Sequence, residues 1–254
     1  MALPSSSAWA GSDRSIPSQV RSQEVRALLV ARKLLQNKLK DVELSIRGIL
    51  RGFGLSKKFE SRIRQLVTGQ AMLERIADAM LSARAGLLIQ FNKLDKSVRQ
   101  IARYDKVCLQ LMTVPSVGPL TAITYKSAID DPQRIKKSKS AGPLFGLTPR
   151  KYQSGETDVT GGITRVGDEM VRTALYEAAN SLLSPKTRFS ALKRWGLEVA
   201  QRRGLKRAKV AVARKLAVIL HRMWVDGTPF RWSKADGAHT DPSRAKTSGS
   251  GSCR

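Results

Sequence analysis

VRSQEVRALLVARKLLQNKLKDVELSIRGILR, from Val20 to Arg51, carries the apolar seam that decides the class of fold. Val25, Leu28, Arg32, Leu35, Leu39, Val42, Ile46 and Ile49 follow one another at alternating steps of three and four. That heptad spacing keeps one stripe of a helix turned toward a partner. No proline interrupts the seam, Arg32 is its one basic member, and Gly52-Phe53-Gly54 supplies a stop. A helix over this stretch would be roughly 48 Å long. A second helix is predicted from Gln70 to Leu111. Its seam runs through Leu73, Ile76, Met80, Ala83 and Leu87, then resumes after a one-residue slip with Phe91, Leu94, Val98 and Ile101. Two such seams joined by a linker predict an antiparallel helical hairpin or a coiled-coil arm that pairs with a second copy. Spacing alone leaves both open.

Outward from these helices the texture changes. Residues 1–18, rich in Ser, Ala and Pro, read as a disordered N-terminus without the apolar run of a signal peptide. After Leu111 the chain becomes compact and glycine-punctuated. Short helices are predicted near 119–129, 137–142, 167–183, 188–202 and 205–225, and 150–165 reads as a Gly-rich loop or small hairpin. Along the last helix Leu205, Ala208, Val212, Leu216, Ile219 and Met223 recur at core spacing. Residues 233–254 read as a disordered basic tail. The expected architecture is mainly α: a helical hairpin or coiled coil over 19–110, then a compact α-rich domain over 111–232.

Charge narrows the function. The 254 residues hold 46 Lys and Arg against 20 Asp and Glu, a formal +26. So large a single-sign excess repels itself unless an anionic partner neutralises it, and phosphate backbones do so with release of condensed counterions. No run is apolar enough to span a membrane. Cys108 and Cys253 are too few and too far apart for a metal knuckle or a disulfide framework, and Cys108 reads as core. The expected setting is cytoplasmic, on the nucleoid.

Two constellations can carry chemistry. In Leu111-Met112-Thr113-Val114-Pro115-Ser116-Val117-Gly118-Pro119 a helix ends, a tight turn follows, and a new helix begins at Pro119. This resembles a helix-hairpin-helix with Ser116 where a glycine usually stands. Ser116, Val117 and Gly118 would offer backbone N–H groups to a phosphate; the plain alternative is an ordinary corner between helices. The second is Gly146-Leu147-Thr148-Pro149-Arg150-Lys151-Tyr152-Gln153-Ser154-Gly155, followed by Gly162-Ile163-Thr164-Arg165-Val166-Gly167. Ser154 stands in a polar loop flanked by Arg150, Lys151 and Arg165, cations suited to the charge that gathers on a reacting phosphodiester. On spacing alone a loop serine of this kind is a turn residue or cap.

These motifs, in order with Arg172-Thr173-Ala174-Leu175, Ala178-Ala179 and the helix Ala208–Ala217, resemble the C-terminal transposase domain of the DEDD-type bacterial insertion-sequence transposases, a family that includes bridge-RNA-guided recombinases. Arg47-Gly48-Ile49-Leu50 and Phe53-Gly54-Leu55 resemble the coiled coil of that family, so the resemblance covers residues 20–232. It implies that Ser154 is the nucleophile that attacks a DNA phosphodiester and forms a phosphoserine link. It also implies insertion-sequence ends and target DNA as partners, a guide RNA as a further one, and oligomerisation through the coiled coil. Gly155 would let DNA approach closely. Arg150, Arg165 and Arg172 are assigned to phosphate by charge and position; for Arg172 the alternative is a surface pair with Asp168 or Glu169.

Members of the family begin with a RuvC-like domain whose Asp, Glu, Asp, Asp set holds divalent metal, and nothing before Val20 can form it. The expectation is therefore a truncated chain that is not active by itself, with Mg²⁺ needed only alongside that domain and no cofactor or metal site here. Asp130 and Asp131, ahead of Pro132, read as cap or turn residues rather than metal ligands. Asp78 and Asp95 read as isolated on helix faces, and His221 and His239 complete no triad with a serine and an acid. Between Lys186 and Lys215, 11 of 30 residues are Lys or Arg and only Glu198 is acidic, with Trp195 and Tyr176 at the edges. Such a run, with Arg214 and Lys215 at its end, suits a groove that follows a nucleic-acid backbone; the alternative is a solvated helix face. The rival to a transposase is a non-catalytic protein that coats DNA or RNA through phosphates.

Overall fold

A computed structural model describes residues 18–54, 60–154 and 157–232; residues 18–19, 60–62, 151–154 and 157–160 are described by their backbone alone. The predicted N-terminal and C-terminal disordered stretches, with Gly155, His239 and Cys253, lie outside the described residues. The fold is mainly α. It separates into two compact units, one built on residues up to Asp105 with Ile123–Asp130, the other on Lys106–Ala122 with the residues from Asp131 onward.

In the first unit α1 (Ser18–Gly52) and α3 (Ala71–Tyr104) lie antiparallel, with α2 (Glu60–Val67) packed on α3. The direction follows from the pairs that meet: Arg32 with Asp95, and Glu43 with Arg84. The intrachain hairpin is thus the observed form of the two seams. Near its turn Ile46, Leu50, Ile63, Val67, Leu73, Ala77 and Leu81 form one apolar cluster. The α1 seam is as read, and its basic member Arg32 is buried.

Three expectations need correction here. The α3 seam is centred on Leu73, Ala77, Leu81, Arg84, Leu88, Phe91, Asp95, Val98 and Ala102, and Ala83 is exposed. Asp95 is not isolated: one oxygen accepts Arg32 Nε at 2.7 Å and Nη2 at 2.6 Å, and the other accepts Arg99 Nε at 2.6 Å. The Arg32 guanidinium also lies 4.9 Å from the Phe91 ring centre. Burial alone would raise the Asp95 carboxyl, but hydrogen bonds and charge from Arg99 and Arg32 outweigh it and hold the group below the ordinary carboxylate value. Asp78 likewise meets Arg64, at 3.4 Å on an exposed face. Finally, the predicted helix to Leu111 breaks at Asp105, which separates α3 from α4 (Lys106–Leu111). No glycine or proline marks that break.

In the second unit α9 (Leu205–Asp226) is the central element, touching α4, α6 (Ala141–Leu144), α7 (Glu169–Leu182) and α8 (Ala191–Arg203). Ala208, Val212, Leu216 and Met223 are buried as their spacing requires, whereas Leu205, at the first turn of the helix, is exposed. α8 crosses α9 where Gly196 leaves room: a Cβ there would stand 2.8 Å from Val212 and 2.7 Å from Leu183. α5 (Pro119–Ile129) follows the turn after α4. Asp131 caps a short 3-10 turn at Pro132–Arg134 by accepting Gln133 N–H at 2.9 Å, as its place before proline suggests. Cys108 is fully buried.

Candidate nucleic-acid interface

The segment around Ser154 is an antiparallel hairpin. β1 (Pro149–Ser154) pairs with β2 (Thr157–Ile163), and Ser154 faces Thr157 in the last register pair before the turn. Its base is closed backbone to backbone: Thr164 N–H donates to Thr148 at 2.9 Å and Arg165 N–H to Gly146 at 3.2 Å. Two glycines make the closure possible. Gly146 (φ +64) would put a Cβ 2.3 Å from the Val166 carbonyl oxygen, and Gly167 (φ +84) would put one 2.0 Å from that of Leu144. Both need a left-handed backbone and bare space at once.

The cations of this hairpin have different surroundings. Arg150 is exposed and donates from Nη2 to the Thr164 carbonyl at 3.2 Å, so its guanidinium is steered toward the hairpin base. Arg165 is exposed at a positive φ of 56°. Arg172 is half-buried and gives Nη1 to the carbonyls of Phe145 (3.3 Å) and Val166 (3.4 Å). It straps the two glycine-bearing segments together. Asp168 caps α7, accepting Met170 and Val171 N–H at 2.8 and 3.1 Å. The described backbone places Ser154 and Lys151 on β1.

The turn after α4 is built on buried Leu111, Val114 and Val117. Val117 N–H donates to the Val114 carbonyl at 3.1 Å, so both its side chain and its donor are engaged within the turn. Around Gly118 a Cβ would meet nothing within 4 Å, and this side of the turn is open. Ser116 sits at φ +70, and its Oγ is buried without a hydrogen-bond partner. A left-handed L-residue costs about 1–2 kcal/mol. Ser116→Gly is therefore expected to stabilise the chain by about 1 kcal/mol after the added unfolded-state entropy is subtracted. The check is a thermal midpoint about 2–4 °C higher. A midpoint unchanged or lower would show that the hydroxyl is stabilising.

Beyond these, α8 and α9 carry cations set against aromatic rings. Lys215 Nζ lies 3.9 Å from the Trp195 ring centre, and burial lowers its pKa from the ordinary lysine value. Arg214 lays its stem over Gly142, whose Cβ would meet Arg214 Cγ at 2.8 Å. Arg188 stacks over Trp232 at 4.6 Å and Arg194 over Phe189 at 5.6 Å. Sequence reading passed over Phe189 and Trp232; the doublets Arg188-Phe189 and Arg194-Trp195 were the signal. It also passed over the contact between buried His221 and Ser138, at 2.9 Å from Nδ1, with Nε2 donating to the Pro132 carbonyl at 3.0 Å. Among the described residues no acid completes that pair, which pins the 3-10 turns onto α9.

Among the described residues no three His, Cys, Asp or Glu side chains stand close enough together to hold a metal ion. The Mg²⁺ implied by the resemblance has no ligand set among them. No described helix is long and apolar enough to cross a membrane.

Comparison with known proteins bears on the same segment of the chain. Residues 108–194, from α4 through the hairpin into α8, match the family model for the transposase of the IS116/IS110/IS902 family. The transposase for insertion sequence element IS1111A of Coxiella burnetii is 27% identical over 212 residues, 79% of this chain and 58% of that protein. A Sinorhizobium fredii protein whose name, y4pF/y4sB, likewise places it among transposases is 30% identical over 236 residues, 86% of this chain and 59% of its own length. The transposase for insertion sequence element IS1328 of Yersinia enterocolitica is 25% identical over 142 residues, 56% of this chain and 42% of that protein. The chain thus spans about three fifths of the first two relatives. Its residues 108–194 are thus similar to a transposase of the IS116/IS110/IS902 family.

Proposed function

We propose that this chain acts in DNA transposition as part of a transposase, with Ser154 as the nucleophile for phosphodiester strand transfer. The observation that carries the reading is the family match, which spans the hairpin ending β1 at Ser154 and its cation-bearing base. In the proposed step the Ser154 oxygen bonds to phosphorus and loses its proton, and the departing sugar oxygen takes one up. The serine–phosphate ester conserves the bond for rejoining. Arg150 and Arg165, with Lys151 beside them, stabilise the charge that gathers on the phosphoryl oxygens. Arg172 acts as well through the strap that keeps the hairpin base closed.

The same reading gives the open Gly118 side of the turn after α4 and the cations Arg214 and Lys215 a share of the DNA backbone. It places the protein where the bacterial DNA is, as an oligomer built through the α1–α3 arm and with a guide RNA as a further partner. Divalent metal would come from a RuvC-like portion of the kind the resemblance implies.

Covalent trapping tests the serine. The chain is incubated with labelled insertion-sequence end DNA and a relative that supplies the metal site, and protein–DNA adducts are resolved under denaturing conditions. The expected result is an adduct with the parent chain, none with Ser154→Ala, and equal DNA affinity for both. An adduct that persists in Ser154→Ala would remove this residue from the chemistry, and no adduct from the parent chain with DNA affinity retained would leave a phosphate-coating protein, the reading favoured by the +26 charge.

A further inference from the structure

We infer that the second unit carries a stacking platform for unpaired nucleobases, made by Phe189, Trp195 and Trp232 with Arg188, Arg194 and Lys215. The site rests on the reading of this chain as a nucleic-acid-handling protein, but it is separate from Ser154 and uses different chemistry.

The six residues are linked in series. Trp232 is covered by Arg188, whose chain neighbour Phe189 is covered by Arg194; Arg194 adjoins Trp195, which Lys215 covers. Each aromatic ring has a cation within reach of a phosphate beside it. Phe189 is exposed and Trp195 and Trp232 are half-buried; exposed ring surface accepts any base face by stacking, and the neighbouring cations follow the strand. A duplex hides its base faces and can use only the cations.

The platform is also built rigidly, which an incidental surface phenylalanine does not require. Phe189 is 57% exposed. The loop that presents it is held from beneath by Lys193, whose buried ammonium donates to the carbonyls of Ser184 (2.8 Å) and Thr187 (2.6 Å). Thr187 Oγ1 in turn donates to the Ser181 carbonyl at 2.6 Å, and Ser190 caps α8 by accepting Lys193 N–H at 3.2 Å. A buried cation spent on loop carbonyls fixes the direction of the loop before any ligand arrives. At the other end, Phe230 N–H donates to Thr113 Oγ1 at 2.9 Å and its ring meets Trp232 edge-on at 5.6 Å. Ligand ordering is thereby reduced to the strand itself.

Binding of the full chain is measured by fluorescence anisotropy against three probes: an oligodeoxythymidine, an oligouridine of equal length, and a mixed-sequence DNA duplex. Phe189→Ala is expected to weaken single-strand binding about tenfold, with duplex affinity and its salt dependence unchanged. Phe189→Tyr, which keeps the ring, is expected to bind like the parent. Loss confined to the DNA strand or to the RNA strand supports the platform and identifies the sugar it prefers. Equal weakening toward all three probes, or no weakening toward either single strand, overturns it. Circular dichroism confirms that the variant, altered at an exposed ring, keeps its helices. Ser154→Ala is expected to leave all three affinities unchanged, so an absent covalent adduct sinks the serine while sparing the platform. A duplex-binding chain indifferent to Phe189 does the reverse.

Discussion

Replacing Asp95 with alanine is expected to cost the α1–α3 hairpin about 3–5 kcal/mol, because it strands the buried Arg32 guanidinium. The side chains of Arg32 and Asp95 are only 11% and 17% exposed, so a charge left alone there is largely withheld from water. The pair itself is not what makes the hairpin stable. Removing both charges in Arg32→Leu with Asp95→Leu is expected to be neutral or to stabilise by about 1–4 kcal/mol. The pair selects an alignment: sliding either helix sets Arg32 against an apolar partner. Urea unfolding followed by helix signal measures both variants. An Asp95→Ala midpoint equal to the parent would show that solvent reaches the guanidinium. The pH dependence follows from the sign of the shift. Asp95 is held below its unfolded value of 3.8, so its contribution is complete above that pH and is lost as pH falls through the lower folded value. The gap between parent and Asp95→Ala therefore narrows only in strong acid.

Gly167→Ala is expected to destabilise the second unit by about 3 kcal/mol or more, combining a left-handed backbone with overpacking. The added methyl would stand 2.0 Å from the Leu144 carbonyl oxygen, and a carbonyl fixed in backbone cannot swing aside as a side-chain end can. Gly146→Ala, with a contact of 2.3 Å to the Val166 carbonyl, should behave alike. Gly162→Ala is the control, since nothing lies within 4 Å of that Cβ and its φ is not positive. Amide exchange at Thr164 and Arg165, whose N–H groups close the hairpin base, reports the damage locally. The covalent adduct proposed for Ser154 should fall with it, because the hairpin carries that residue. Parental exchange rates in Gly167→Ala would mean that the two segments can part without cost.

What could be read from the chain depended on whether apolar spacing was the controlling signal. The α1 stripe was legible because every member but Arg32 is apolar. The α3 stripe was misplaced by one residue over part of its length because its true centre includes Arg84 and Asp95, which counting apolar residues passes over, while Ile76 and Met80 flank it. The same blindness made Asp95 look isolated, since its partner stands 63 positions away. The break at Asp105 carries no local mark. The hairpin that ends β1 at Ser154 was legible from its glycines and threonines. The strap made by Arg172 was not, because it donates to carbonyls that no side-chain pattern reveals. Phe189 and Trp232 escaped for a similar reason: their cations come from other turns of the chain.

The mated stripes of α1 and α3 also restrict how the arm can vary in length. One residue added to either helix would turn everything beyond it by about 100°, carrying Arg32 or Asp95 out of the interface. Seven residues added to both helices would restore the facing and extend the rod by about 10.5 Å. The reach of this arm is consequently quantised, and related chains that differ in it should differ by whole repeats inserted opposite one another.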